Sequence, residues 1–102
     1  AVFDAIQEMS RMGQLAVTNL ERAMNALITL DEADIGEVYV VEKQIDFLNH
    51  EITSYLVKVN QTTLPAEDAK SIGGLFHIVN DIERIGDHAE NVADAAKVRL
   101  NQ

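Results

Sequence analysis

With 102 residues, a net charge of −9 and no cysteine, the chain has room for one domain with a single modest core. It can hold neither a disulfide nor a thiolate metal site. Seventeen acidic residues against eight basic ones repel phosphate backbones and anionic lipid, which makes nucleic acid and membrane surfaces poor partners. A hydrophobic content of 47% with three Phe, two Tyr and a single Pro points to aliphatic helix packing and away from disorder or a β-sandwich.

No apolar run approaches the roughly 18 to 20 residues that a spanning helix needs, and no basic, apolar leader opens the chain. The sequence starts at Ala1 with Val2, Phe3 and Ile6 already at helical spacing, the expectation for a soluble segment excised from a longer chain. In the first predicted helix, residues 2–30, Val2, Ile6, Met9, Ala16, Leu20, Ala23, Leu27 and Leu30 recur at steps of three or four, an apolar stripe. Asp31 followed by Asp34 resembles a capping box that opens a second helix over residues 32–60, the carboxylate oxygen accepting from an open amide. Its apolar face carries Ile35, Val38, Val41, Ile45, Leu48, Ile52, Tyr55, Leu56 and Val59.

Asn60-Gln61-Thr62-Thr63 is a polar turn. Pro65 suits the first turn of a third helix, residues 65–100, because its missing N–H has no intrahelical partner there, and Glu67 and Asp68 complement the positive end of the dipole. Ile72, Leu75, Val79, Ile82, Ile85, Ala89, Val92 and Ala96 carry the stripe to the end. Gly73, Gly74 and Gly86 break helix propensity inside it, at about 1 kcal/mol each relative to alanine, and mark a close backbone approach, a kink or merely tolerated defects. Short connections force neighbouring helices antiparallel. The predicted fold is all-α, one domain over residues 1–102: an antiparallel up-down-up three-helix bundle of long helices, with Ile45, Leu48, Ile52, Val79, Ile82 and Ile85 buried together.

Beside the stripes lie paired carboxylates. Glu42 and Asp46 stand four apart on the second helix, and Glu42 and Asn49 share a heptad position with Ile35 and Leu56, so the carboxylate borders the core. Glu83 and Asp87 stand four apart on the third helix and share an acidic edge with Asn80. Like charges at that spacing destabilise a helix by a few tenths of a kcal/mol. A hard cation reverses the sign, since carboxylate oxygens suit magnesium, calcium, manganese or ferric iron. From spacing alone a solvated acidic flank is the more ordinary reading, because acidic residues are the commonest polar choice on a helix surface. Counted from the turn, the two pairs differ in height by about three residues, or roughly 4 to 5 Å at about 1.5 Å per residue, so all four carboxylates can face one another across the groove.

The segment Val79-Asn80-Asp81-Ile82-Glu83-Arg84-Ile85-Gly86-Asp87-His88-Ala89-Glu90-Asn91-Val92 resembles the signature of PhoU-like domains, in which a Glu-x-x-x-Asp pair sits on the last helix. Val41 to Ile52 resembles the other Glu-x-x-x-Asp motif of that family, on the preceding helix. The resemblance implies a spectrin-like helical bundle that regulates phosphate transport without catalysis, with Glu42, Asp46, Glu83 and Asp87 as metal ligands, iron or zinc being the metals of the family. Soluble members carry two such bundles, whereas this chain has one. Its Leu56-Val57-Lys58-Val59-Asn60-Gln61 and Gly73-Gly74-Leu75-Phe76-His77 segments look more like the tails of bacterial sodium/phosphate cotransporters. That likeness implies a transporter membrane domain as partner in cis, at the cytoplasmic face of the inner membrane.

His77, Asp81, Arg84 and His88 form a second polar edge on the third helix, a salt-bridged flank or an anion-facing surface, and His50 either extends the ligand row or is solvated. A ferritin-type di-iron enzyme needs Glu-x-x-His pairs across four helices, and neither acidic pair has a histidine at that position. Ser10, Ser54 and Ser71 sit in helical stripes without the glycine-framed turn of a nucleophile. The alternative to a transporter-attached regulator is a free-standing adaptor that binds a protein through a helix face. Long thin bundles leave apolar surface, and Phe3, Phe47 and Phe76 at or beyond the stripe margins predict a homodimer.

Overall fold

The computed structural model describes residues 2–102, with side chains from Asp4 onward, so the readings placed on the side chains of Val2 and Phe3 lie outside the described residues. Three helices make up the fold: α1 (Val2–Thr29), α2 (Glu32–Asn60) and α3 (Ala66–Leu100). Each packs against both others, and the rod they form measures 56 × 16 × 16 Å. The described residues hold no strand, so the three-helix bundle read from the stripes is the observed architecture.

The first turn is abrupt. Leu30 takes φ 57°, in the left-handed region, which costs a side-chain-bearing residue about 1 to 2 kcal/mol. Its amide closes the end of α1 on the Ala26 carbonyl at 2.7 Å, and its half-buried side chain packs with Ala26, Ile35 and Ala96, which offsets the strain. Asp31 then caps α2, its Oδ1 accepting from the Asp34 amide at 3.0 Å. Only half of the expected box forms, because the Asp31 amide donates to Thr29 Oγ1 at 3.3 Å and not to Asp34. Pro65 stands one place before the first turn of α3, with ψ 151°, and accepts from the Ala69 amide at 3.0 Å.

The core is graded along the rod. Toward the α2–α3 turn it is built of large side chains, among them Met9, Met12, Ile45, Ile52, Leu56, Ile72, Val79 and Ile82, with Ile85 half-buried against them. Toward the other end it narrows to Ala23, Ala26, Ala89, Ala93 and Ala96 around Val38 and Ile35. The α1 stripe differs from the one the sequence predicts. Its buried row is Ala5, Met9, Met12, Ala16, Asn19, Ala23 and Ala26, while Ile6 is exposed and Leu20 and Leu27 are half-buried. Helices that approach closely take small residues at the seam, and the bulky ones are displaced to its margins.

Between the two parts of the core lies a polar layer. Asn19 and Glu42 are the buried polar side chains among the described residues. Asn19 Nδ2 donates to the Val38 carbonyl at 3.0 Å, and its Oδ1 accepts from Arg22 at 2.8 Å, so both ends of the amide are satisfied. Val38 lies one turn before Glu42 on α2, so this bond pins α1 to the stretch of α2 that presents the carboxylate. Replacing Asn19 with alanine removes the bond and leaves a small void, an expected loss of about 1 to 2 kcal/mol, read as a lower midpoint in urea with an unchanged slope.

Candidate metal centre

Glu42 lies only 3% exposed, and neither of its carboxylate oxygens has a hydrogen-bond partner. A buried ionised carboxylate without partners is costly. The helix opposite makes room for it: a Cβ built on Gly86 falls 2.8 Å from each of the Glu42 oxygens. Gly86 is therefore the close approach that the sequence reading allowed for. Gly73 and Gly74 have nothing within 4 Å and mark no approach.

The carboxylates around Glu42 form two groups that share it. Glu42, Asp46 and Glu83 bring one oxygen each within 4.8 Å of one another, and Glu42, Asp87 and Glu90 do the same. The structure thus brings together all four residues singled out from the sequence, divided into two triads and not gathered as one square, with Glu90 added. Glu90 was overlooked although it stands seven residues after Glu83 and three after Asp87, on the same face of α3. Asp46, Asp87 and Glu90 are exposed, Glu83 is half-buried and Glu42 is at the bottom. The groups hold no histidine; His50, His77 and His88 are exposed, and the second polar edge is a flank on which Arg84 pairs with Asp81 at 3.4 Å.

A second row orients the first. Asn49 Nδ2 donates to Glu83 Oε2 at 2.8 Å, and Thr53 Oγ1 donates to Asn49 Oδ1 at 3.0 Å. Asn49 was legible as a heptad partner of Glu42, whereas Thr53 carried no signal of its own. Burial, followed by the charges of Asp46, Glu83, Glu90 and Asp87, pushes the Glu42 carboxyl from 4.5 up to about 7. Glu83 is likewise raised to about 7 by burial and then by its hydrogen bond and charge interaction with Asp46, with Asn49 opposing. Glu42 and Glu83 thus hold protons more tightly than isolated carboxyls do, as expected where burial and neighbouring negative charge act together without a compensating cation.

The residues fit a cation. Glu42 offers two oxygens without hydrogen-bond partners, Gly86 leaves the room in which they sit, and every donor is a carboxylate, which suits hard ions and also zinc. The fit makes a specific demand on Gly86. A Gly86→Ala substitution gains about 1 kcal/mol of helix propensity yet drives the Glu42 carboxylate out of its place. The expected outcome is a domain as stable as the parent, or more so, whose cation affinity measured by titration calorimetry falls at least tenfold.

No helix among the described residues is long and apolar enough to cross a membrane. The family profile of the PhoU domain matches residues 9–96. A phosphate-specific transport system accessory protein PhoU homolog from Clostridium acetobutylicum is 37% identical over 97 residues, covering 92% of this chain and 43% of the relative. Its counterpart in Xylella fastidiosa is 33% identical over 88 residues, 86% of this chain and 37% of the relative. That of Pseudomonas aeruginosa is 32% identical over 94 residues, 91% of this chain and 39% of the relative. The chain therefore spans about two fifths of the length of these curated relatives. No solved structure gives a significant match. With the profile covering both carboxylate motifs and nearly all of the three helices, this chain belongs to the PhoU domain family.

Proposed function

We propose that this domain is a non-catalytic regulator of phosphate transport whose working state holds cations between α2 and α3. The observation that carries the reading is the orphaned, buried Glu42 carboxylate, shared by two carboxylate triads and facing the gap left by Gly86. Asp46 and Glu42 would hold the ions from α2, and Glu83, Asp87 and Glu90 from α3, with iron or zinc implied by the family and magnesium or calcium compatible with the donors. A bound ion offsets the repulsion among five carboxylates and ties the two helices in one register. The names of the relatives supply the process, since they are accessory proteins of phosphate-specific transport systems.

In this reading the domain works at the cytoplasmic face of the membrane, attached in cis to a sodium/phosphate cotransporter, which the wording of residues 56–61 and 73–77 supports. A second reading, a metal-independent adaptor acting through a helix face, draws on the exposed Phe47 and Val40 of α2. Phosphate uptake in cells carrying the full-length protein separates the two. Under the first, Glu42→Met or Asp87→Asn abolishes the dependence of uptake on external phosphate, while Phe47→Glu changes it little. If the acidic variants regulate normally and Phe47→Glu does not, the metal reading is wrong and the adaptor reading stands.

A further inference from the structure

The face of the bundle formed by α1 and α2, away from the acidic groove, has two neighbouring hollows of opposite charge. The first, of about 200 Å³, has an apolar floor of Ala5 and Ile52 and is rimmed by Glu8 and Glu51. The second has Leu15 as its floor and is rimmed by Arg11 and Lys43. Leu48 lines both. Phe47 borders the basic hollow and stands 62% exposed, with Val40 one further step along the same side of α2 at 50%. Arg11 of the basic hollow is paired with Glu8 of the acidic one at 3.2 Å within the chain, so Lys43 and Glu51 mark the basic and acidic ends of the face, with the bare Phe47 ring between them.

Such a face is complementary to itself. A two-fold axis lying in the plane of the face, perpendicular to the helices and level with Phe47, sets α1 against α1 and α2 against α2 of a second copy, both antiparallel. The basic hollow of each copy then covers the acidic hollow of the other. Helical side chains lean toward the N-terminus of their own helix. In this arrangement the lean carries each Phe47 ring toward residues 48–55 of the other copy, where the apolar floor of the acidic hollow can receive it. Exposed aromatic anchors entering pockets ringed by paired charges are the usual anatomy of a specific interface. A parallel arrangement would instead lay acid on acid and base on base.

We propose that the α1–α2 face is the homodimer interface of this domain, with Phe47 seated in the hollow between Ala5 and Ile52 of the second copy, and with opposite charges matched on either side. The alternative occupants, a different protein or a further part of a longer chain, are excluded or admitted by the same experiment. The metal groove between α2 and α3 is not part of this face, so the proposal stands or falls independently of metal binding.

Sedimentation equilibrium of the wild-type chain at about 5 to 100 µM, in chelator, gives a monomer–dimer equilibrium if the proposal is right. Phe47→Glu then yields monomer throughout. Lys43→Glu, which opposes acid to acid, raises the dissociation constant at least tenfold, and Lys43→Glu combined with Glu51→Lys recovers most of that loss by inverting both ends together. All three positions are exposed, and circular dichroism verifies that each variant keeps its helices. A wild-type chain that stays monomeric at 100 µM, a Phe47→Glu variant that still dimerises, or a double charge variant no tighter than Lys43→Glu overturns the proposal.

Discussion

Replacing Glu42 with methionine raises the melting temperature of the metal-free domain at pH 8 and removes its response to added cation. The wild-type carboxylate is ionised at that pH, 3% exposed and without hydrogen-bond partners. Its rise from 4.5 to about 7 corresponds to about 3 kcal/mol at about 1.4 kcal/mol for each unit, as an upper bound. Methionine has nearly the same volume and no charge, and exchanging buried charge for a packed apolar group commonly stabilises a fold. For a domain of this size about 2 to 3 kcal/mol is roughly 10 °C or more in melting temperature. Glu42→Gln separates charge from shape. Its amide is neutral yet still leaves polar atoms unpartnered, so its gain falls between those of the wild type and the methionine variant. In both variants the stabilisation by zinc or manganese, which for a single site reaches about 2.7 kcal/mol at a hundred times the dissociation constant, disappears. A methionine variant that melts lower than wild type in chelator would show that Glu42 is satisfied in a way the geometry does not reveal.

The stability of the metal-free and metal-loaded domains runs in opposite directions with pH. Glu42 and Glu83 both titrate near 7 in the folded chain against an ordinary value of 4.5, so between those limits the folded state retains protons that the unfolded chain has released. Stability is then fully present below about pH 4.5 and is lost as pH rises through about 7. Glu42 contributes up to about 3 kcal/mol of that loss, and the more exposed Glu83 less, because solvent screens it. A cation competes with protons for the same oxygens, so its contribution grows over the same window. Melting at pH 5 and pH 8, each with chelator and with excess zinc, checks the crossing. In chelator the domain melts higher at pH 5, and the increment due to zinc is larger at pH 8. A flat profile in chelator contradicts the raised carboxyl values, and an increment that shrinks toward pH 8 contradicts carboxylate ligation.

Much of this was legible in the sequence, and the exceptions share one physical cause. The helix boundaries follow from local chemistry, with Asp31 at a cap, a polar turn after Asn60 and Pro65 ahead of the last helix. Aliphatic periodicity located Ile45, Ile52, Val79 and Ile82 in the core for the same reason. On α1 it located Met9, Ala16 and Ala23 but also placed Ile6, which faces solvent, and the half-buried Leu20 and Leu27 in the stripe, and it passed over the buried Ala5, Met12 and Ala26. Residue size marks hydrophobicity, but the centre of a close three-helix seam admits only small side chains, and nothing within one helix states how near its neighbours come. The metal centre divides the same way. Motif spacing identified Glu42, Asp46, Glu83 and Asp87, yet the depth of Glu42, its juxtaposition with Gly86 and the recruitment of Glu90 depend on the register between α2 and α3. Asn19 was overlooked because a polar residue inside an apolar series reads as an interruption until the Val38 carbonyl is seen beside it.

Crystals of the domain grown with zinc, with anomalous scattering recorded above and below the metal edge, test the central claim most directly. The account predicts two peaks, one between Glu42, Asp46 and Glu83 and the other between Glu42, Asp87 and Glu90, each about 2.0 to 2.2 Å from an oxygen of the single shared carboxylate. Both disappear in the Glu42→Met protein. Peaks held only by surface histidines, or a groove without anomalous signal around an unliganded Glu42 carboxylate, would contradict it.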